Sequence, residues 1–431
     1  MKQIMMAVHL LILPAFLLVS CKHNDTPAND PTSKVSTFML LTWNEAGLTA
    51  VHRSGALPPM AESRINAAVN IAMHDALNSI VPVYESYAYR AMAVSAANAD
   101  AAVAQAAHDV LIFMLPPQKT FADSLLNISL ASIADGTGKD SGIVLGKAAA
   151  AAMNTKRGKD GASVAQIPFI SGTMPGQYRA APPFDTGAAA GFVALAGWGG
   201  VQPFGLSAAA QYRPGAPYAV SSDAYAKDFA EIKKMGCMAC PDRTADQTEI
   251  GRFWLENVPT SINRIAVTLI NDKHLNAWQA ARLLALVQMA QADANIACFD
   301  AKFFYKFWRP ITAVRLAEGD GNASTIGDAA WNVLAPPTPP VPDYPSNHAA
   351  DGGAGLEVVR RFFNTDNINF SATSTILPGV VRPFANLSQA AREISLSRIY
   401  VGYHFRMAVD SGEAMGKKVG QYLFENSLKP R

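Results

Sequence analysis

The chain is short of charge and carries almost none in excess. Only 16% of its 431 residues are charged, and 36 Lys and Arg offset 34 Asp and Glu to leave a net of +2. A nucleic-acid binder should show a basic excess, so that class of partner is not expected. Disorder needs low hydrophobicity together with high net charge, and here half the residues are apolar. Three common catalytic signatures are missing: HExxH, Gly-x-Ser-x-Gly and a phosphate-binding Gly-Lys-Ser/Thr loop. Strand-period alternation and fixed-period repeats are missing too. What the chain has is length, enough for two or three domains or one large one with a sizeable core. Function must lie in a local constellation.

Residues 1–21 read as an export signal. Lys2 gives the positive start, and Ile4 to Val19 is almost uninterrupted apolar sequence, shorter than the ~20 residues a membrane-spanning helix needs. Leu18-Val19-Ser20-Cys21 resembles the bacterial lipobox, whose cysteine is lipidated and becomes the new N-terminus; an ordinary cleaved signal is the alternative. Residues 22–35, polar and carrying Pro27 and Pro31, read as a flexible tether. The expectation is an exported lipoprotein, in the periplasm or at the outer membrane or cell surface, touching the membrane only through its anchor.

Cys237 and Cys240 stand just before Pro241. In an exported protein a local disulfide is expected. A thioredoxin-like site lacks its βαβ setting, and zinc lacks a second ligand pair. Cys298 lies in an apolar helical stretch and reads as a buried thiol.

The hydrophobic period is helical almost throughout. Glu62 to Ile80 places Ile65, Val69, Met73, Ala76 and Leu77 on one face. Alanine-rich helices follow at Ala99 to Leu115, Gln118 to Ile133 and Ser141 to Asn154. From Gln166 to Ser222 glycine and proline recur, as expected of a long irregular crossover. Helices resume at Ala224 to Met235, Arg243 to Asn257 and Leu275 to Phe307, then near Ser346, near Ser388 and over Val409 to Asn426. The fold expected is all-α, with two packed helical bundles and long irregular connections. Residues 36–221 would form the N-terminal bundle and crossover, and 222–431 the C-terminal bundle.

Three segments of the C-terminal part concentrate polar residues that an apolar helical protein does not otherwise need. Lys302 and Arg309 stand two helical turns apart, so a continuous helix would put both on one face, and Pro310 fits its end. Phe303, Phe304, Phe307 and Trp308 interleave the cations and imply burial, and buried cations need an anion. Tyr344-Pro345-Ser346-Asn347-His348 precedes a small-residue run. Ser346 suits an N-cap, which by itself is ordinary, but it would also put the Asn347 and His348 amides at a helix N-terminus suited to an anion. Ser397-Arg398 and His404 flank Gly402, which permits close backbone approach. Together these segments supply three cations, a serine, a helix N-terminus and two histidines, the parts of an oxyanion site.

Lys302-x6-Arg309-Pro310, Pro345-Ser346-x-His348 and Ser397-Arg398-x3-Gly402-x-His404 resemble the three-part signature of the superfamily joining vanadium-dependent haloperoxidases to type 2 phosphatidic acid phosphatases. Further stretches look like its soluble bacterial haloperoxidase branch: Pro203-Phe204 through Arg213-Pro214, Arg243-Thr244 through Phe253-Trp254, and Phe307-Trp308-Arg309-Pro310. The resemblance implies paired helical bundles of that type and a vanadate cofactor, with phosphate able to occupy the same site. It implies that Lys302, Arg309 and Arg398 neutralise the equatorial oxygens, with Ser346 and the Asn347 amide bonded to the same oxygens. His404 would be the axial ligand to vanadium, or the phosphorylated nucleophile of a phosphatase, and His348 the general acid-base. Hydrogen peroxide, a halide and a small-molecule acceptor would be the partners; the sequence leaves homo-oligomerisation open.

Two departures stand out. Asn347 replaces the usual Gly, adding a side chain beside the oxyanion and restricting the backbone. Four residues after His404, where the pattern often has Asp, stands Ala408; Asp410 comes two later, off the face of His404. His404 should then be less well oriented and less basic, which weakens a phosphatase more than a vanadate enzyme. Val341, five residues before Ser346, occupies a position where relatives place halide-contacting aromatic or histidine side chains, and favours bromide or iodide over chloride. The pairs His74-Asp75 and His108-Asp109 read as core or supporting residues, and His274 as exposed. A third reading is a surface lipoprotein that binds an oxyanion without catalysis.

Overall fold

The computed structural model describes residues 31–55 and 57–431. The export signal and the tether up to residue 30 lie outside the described residues. From residue 31 the chain is tied down: Pro31–Lys34 is a short 3-10 turn, Thr32 is buried, and Asn276 donates to its hydroxyl at 3.2 Å.

Helix α1 (Phe38–Arg53) is followed by α2 (Pro59–Asn78), α3 (Ala99–Met114), α4 (Lys119–Ala131) and α5 (Thr137–Arg157). The span expected to be irregular holds only short 3-10 turns before α6 (Asp223–Met235). Then come α7 (Ala245–Phe253), α8 (Val258–Asp272), α9 (Ala277–Tyr305), α10 (Pro310–Arg315), α11 (Asn347–Phe362), α12 (Leu387–Tyr400) and α13 (Arg406–Asn426). No helix of the described residues is long and apolar enough to cross a membrane. The all-α expectation holds, with two local exceptions.

The helix expected over Arg243 to Asn257 is α7 alone, which ends at Phe253, and α1 and α8 were not expected. Asn257 has extended backbone and Pro259 opens α8 in its first turn, where a missing N–H costs nothing. A small antiparallel hairpin, β1 (Phe370–Thr373) with β2 (Val381–Phe384), pairs Phe370 with Phe384 and Thr373 with Val381. Its inward–outward alternation runs for four residues only, too few to register as a period. Phe370 and Phe384 stack at 5.4 Å and close that end of the core.

Helix α9 is the spine. It is buried at nearly every position from Ala277 through Phe299, as a helix with no solvent side must be. Helix α2 packs along one flank and α11, α13 and α8 along the others, so one apolar cluster runs from Met39 to Leu428. Helices α11 and α13 approach through small residues. A side chain at Gly412, Gly416 or Gly420 would strike the carbonyls of Ser346, Ala350 and Ala354. That contact seats the first turn of α11, where the polar residues gather.

Candidate functional site

Lys302 and Arg309 do converge, by a different route from the one the spacing suggested. Helix α9 stops at Tyr305, Lys306 takes a left-handed φ of 52°, and Arg309 has extended backbone ahead of α10. Pro310 therefore opens the next helix instead of ending the last. Both cations are buried and grip one strand of the Pro-rich loop. Lys302 Nζ donates to the carbonyls of Pro342 (2.7 Å) and Asp343 (2.9 Å), and Arg309 Nε to that of Val341 (2.7 Å).

That loop delivers Ser346 to the N-cap position of α11, where its backbone N–H donates to Ala408 O at 2.8 Å. The ordinary capping role fails: the hydroxyl makes no cap hydrogen bond and is buried without a partner among the described residues. A donor left free at a helix N-terminus suits an anion.

Arg398, near the end of α12, is also buried. Its Nε donates to Ser397 Oγ (3.0 Å), and its guanidinium donates to the carbonyl of Trp254 (2.6 Å). Beyond α12 the chain reverses at Gly402, whose φ is +88° and whose absent Cβ would collide with the Gly236 carbonyl. The reversal brings His404 back to Arg309, which donates to the Tyr403 carbonyl and His404 Nε2, each at 2.9 Å.

The sequence reading missed Asp343. Its Oδ1 lies 2.9 Å from His404 Nδ1 and 4.0 Å from the Arg309 guanidinium. A carboxylate does stand beside His404, supplied from another segment and not from the position of Ala408, while the ring is weakly basic as expected. Ala408 instead packs against Ser346, and Asp410 pairs on the surface with Arg392. Asp343 is the sole acid between Asp328 and Asp351, a signal the sequence did contain.

A cavity of about 300 Å³ is lined by Arg309, Asn347, His348, Arg398, Tyr403 and His404 at its polar end. Met60, Phe299, Val341 and several prolines form the rest of its wall. Lys302 and Ser346 are buried beside it and do not line it. His348 turns Nε2 inward without a partner among the described residues.

Burial dominates the electrostatics. It pulls the Lys302 ammonium down to about 7 and pushes the Asp343 carboxyl up to about 7. Both His348 and His404 are held well below the usual histidine range, first by burial and then by neighbouring arginines. The imidazoles are thus neutral at neutral pH. A proton on Nδ1 facing Asp343 leaves the lone pair of His404 on Nε2, the atom that accepts from Arg309. Three cations face a single carboxylate, and such an excess calls for a bound anion.

The other sequence candidates resolve as structural. Asp75 accepts from the amides of Tyr87, Ala88 and Tyr89, and His108 bridges Asp109 and Asp123. His274 is exposed. Cys237 and Cys240 are disulfide-bonded and Cys298 is a buried thiol. Among the described residues no three His, Cys, Asp or Glu side chains cluster to hold a metal cation.

Residues 282–430 match the family described as the VCPO second helical-bundle domain, and Lys302, Arg309, Ser346, Asn347, His348, Arg398 and His404 all lie inside that span. The chain is also 32% identical over 195 residues to the vanadium chloroperoxidase of Curvularia inaequalis, covering 34% of this chain and 31% of that protein. The aligned region is thus about a third of that relative's length. Two solved structures share the fold. A bacterial vanadium-dependent iodoperoxidase superposes with a TM-score of 0.77 at 22% identity, over 92% of this chain and 97% of that one. A holo-type bacterial vanadium-dependent chloroperoxidase gives 0.70 at 17%, over 86% and 92%. The chain thus shares the helical fold of these two structures over most of its length.

Proposed function

We propose that this protein is a vanadate-dependent haloperoxidase that oxidises a halide with hydrogen peroxide. The observation that carries the reading is the excess of buried positive charge, from Lys302, Arg309 and Arg398, around an unpartnered serine hydroxyl and a neutral His404. The fit to a tetrahedral oxyanion is chemical: an unpartnered serine hydroxyl, three cations and a helix N-terminus lie in or beside the cavity, and among the described residues no acidic cluster suits a bare cation. Lys302, Arg309 and Arg398 would hold the oxygens, with Ser346 Oγ and the Asn347 amide. His404 Nε2, with Asp343 on the far side of the ring, would bind the vanadium. His348 Nε2, neutral and free, can take a proton from a hydroxyl in the cavity. Bound vanadate supplies a Lewis acid that polarises the O–O bond of peroxide for halide attack.

Val341 at the cavity wall neither donates a hydrogen bond nor stacks, which supports iodide or bromide over chloride; the fold neighbours include both an iodoperoxidase and a chloroperoxidase. Export and lipid anchoring belong to the same reading, supported by Lys2, the apolar run to Val19 and Cys21.

One observation favours a second reading, an acid phosphatase acting through phosphorylated His404. Asp343 behind a neutral His404 is the arrangement of an oriented nucleophile, which such chemistry needs. The test is peroxide-dependent iodide oxidation by metal-stripped protein, with vanadate added back and phosphate as competitor. Activity that requires vanadate and disappears in His404→Ala establishes the peroxidase. Vanadate-inhibited phosphomonoester hydrolysis in its place establishes the phosphatase.

A further inference from the structure

Asn347 stands where the related pattern has glycine, and its side chain is locked. Asn295, on α9, does the locking. Its Nδ2 donates to the Gln291 carbonyl at 3.0 Å, and a backbone carbonyl can only accept. The same nitrogen lies 2.8 Å from Asp351 Oδ1 and 3.1 Å from Ser63 Oγ. The oxygen edge of Asn295 must therefore face Asn347, whose Nδ2 donates to it at 2.7 Å. With its nitrogen committed to α9, Asn347 has its Oδ1 left over. That atom is buried without a partner among the described residues. Asn347 is itself only 9% exposed and lines the cavity beside Arg309, Arg398, His348 and His404.

We propose that the Asn347 carbonyl makes this cavity selective for tetrahedral oxyanions that still bear a proton, such as phosphate, arsenate and vanadate, over those that bear none, such as sulfate. The inference rests on the reading of the cavity as an oxyanion site. A buried acceptor without a partner is unfavourable, and an O–H on the ligand satisfies it. Sulfate at neutral pH has no proton to give, so it would set oxygen against oxygen in a low-dielectric site. Neither the cations nor Ser346, His348 or His404 is confined to accepting at every pH. Lys302, Arg309 and Arg398 only donate, Ser346 Oγ donates or accepts, and the imidazoles of His348 and His404 can become donors by gaining a proton. An amide oxygen accepts at every pH. Asn295 is the positioning residue, since it holds the amide in that sense.

The test is calorimetric titration of the full chain with inorganic phosphate, orthovanadate and sulfate, with no turnover involved. The wild type should bind phosphate and vanadate about tenfold or more tighter than sulfate. Asn347→Gly, which keeps the backbone amide and removes the acceptor, should narrow that ratio by about tenfold. Asn295→Leu, which frees the amide to turn over, should narrow it part of the way. Equal binding of sulfate and phosphate by the wild type overturns the inference whatever the variants do. So does a preference that survives unchanged in a folded Asn347→Gly. Folded wild type that binds none of the three anions overturns the oxyanion reading itself, a result distinct from unselective binding.

Discussion

Nδ1 of His404 lies 2.9 Å from Oδ1 of Asp343, two residues that share no helix and no sequence motif. A carboxylate at that distance favours a proton on Nδ1, which leaves Nε2 to accept from Arg309. Replacing Asp343 with Asn should lower activity, or the affinity for vanadate, by about 10–100-fold, the usual effect of losing the partner behind a ligating histidine. The fold should survive, because Asn keeps the volume. Unchanged vanadate affinity and unchanged turnover would remove Asp343 from the site.

Lys302 should make anion binding depend on pH. Its ammonium is pulled down to about 7 by burial, so the charge is present below about pH 7 and lost above it. Affinity should therefore fall as pH rises through 7, by up to about tenfold per unit. The anion's own titration cancels when the wild type is compared with Lys302→Met. Identical slopes in the two proteins would show that Lys302 is not the titrating group.

Gly402 should not tolerate a side chain. At φ +88° and against the Gly236 carbonyl, Gly402→Ala combines backbone strain with overpacking, a cost on the order of 2–4 kcal/mol. Thermal unfolding should show the loss, and anion affinity should fall with it, since the turn carries His404. A melting temperature equal to that of the wild type would contradict this account of the turn.

The Cys237–Cys240 bridge closes a very short loop, so its contribution should be small, about 2 kcal/mol. Arg243 separately ties this region together, donating to the carbonyls of Met235, Cys237 and Tyr400. The double variant Cys237→Ser, Cys240→Ser should thus unfold at a lower temperature but bind phosphate as the wild type does. Lost anion binding in a folded double variant would mean that the bridge shapes the site.

Helix placement was legible in α2, from its apolar period, and in α3 and α9, from long alanine-rich or apolar runs. It failed for α1 and α8, which were not expected, and for the four-residue strands, too short to show a period. The seven named site residues also came from sequence, and all of them gather around the cavity, five lining it and two beside it. Their route together was misread at Lys306, because a left-handed residue leaves no mark in a hydrophobic period.

By itself the sequence determined that the chain is helical, that three buried cations need an anion, and which serine and histidines accompany them. Those properties are set by residue type and near-neighbour spacing. Only the tertiary structure decided that Asp343 stands behind His404, that Ser346 keeps its hydroxyl free, and that Asn347 is turned by Asn295. Each of these is a contact between segments distant in sequence, and close packing around α9 selects one arrangement among many that local preferences allow.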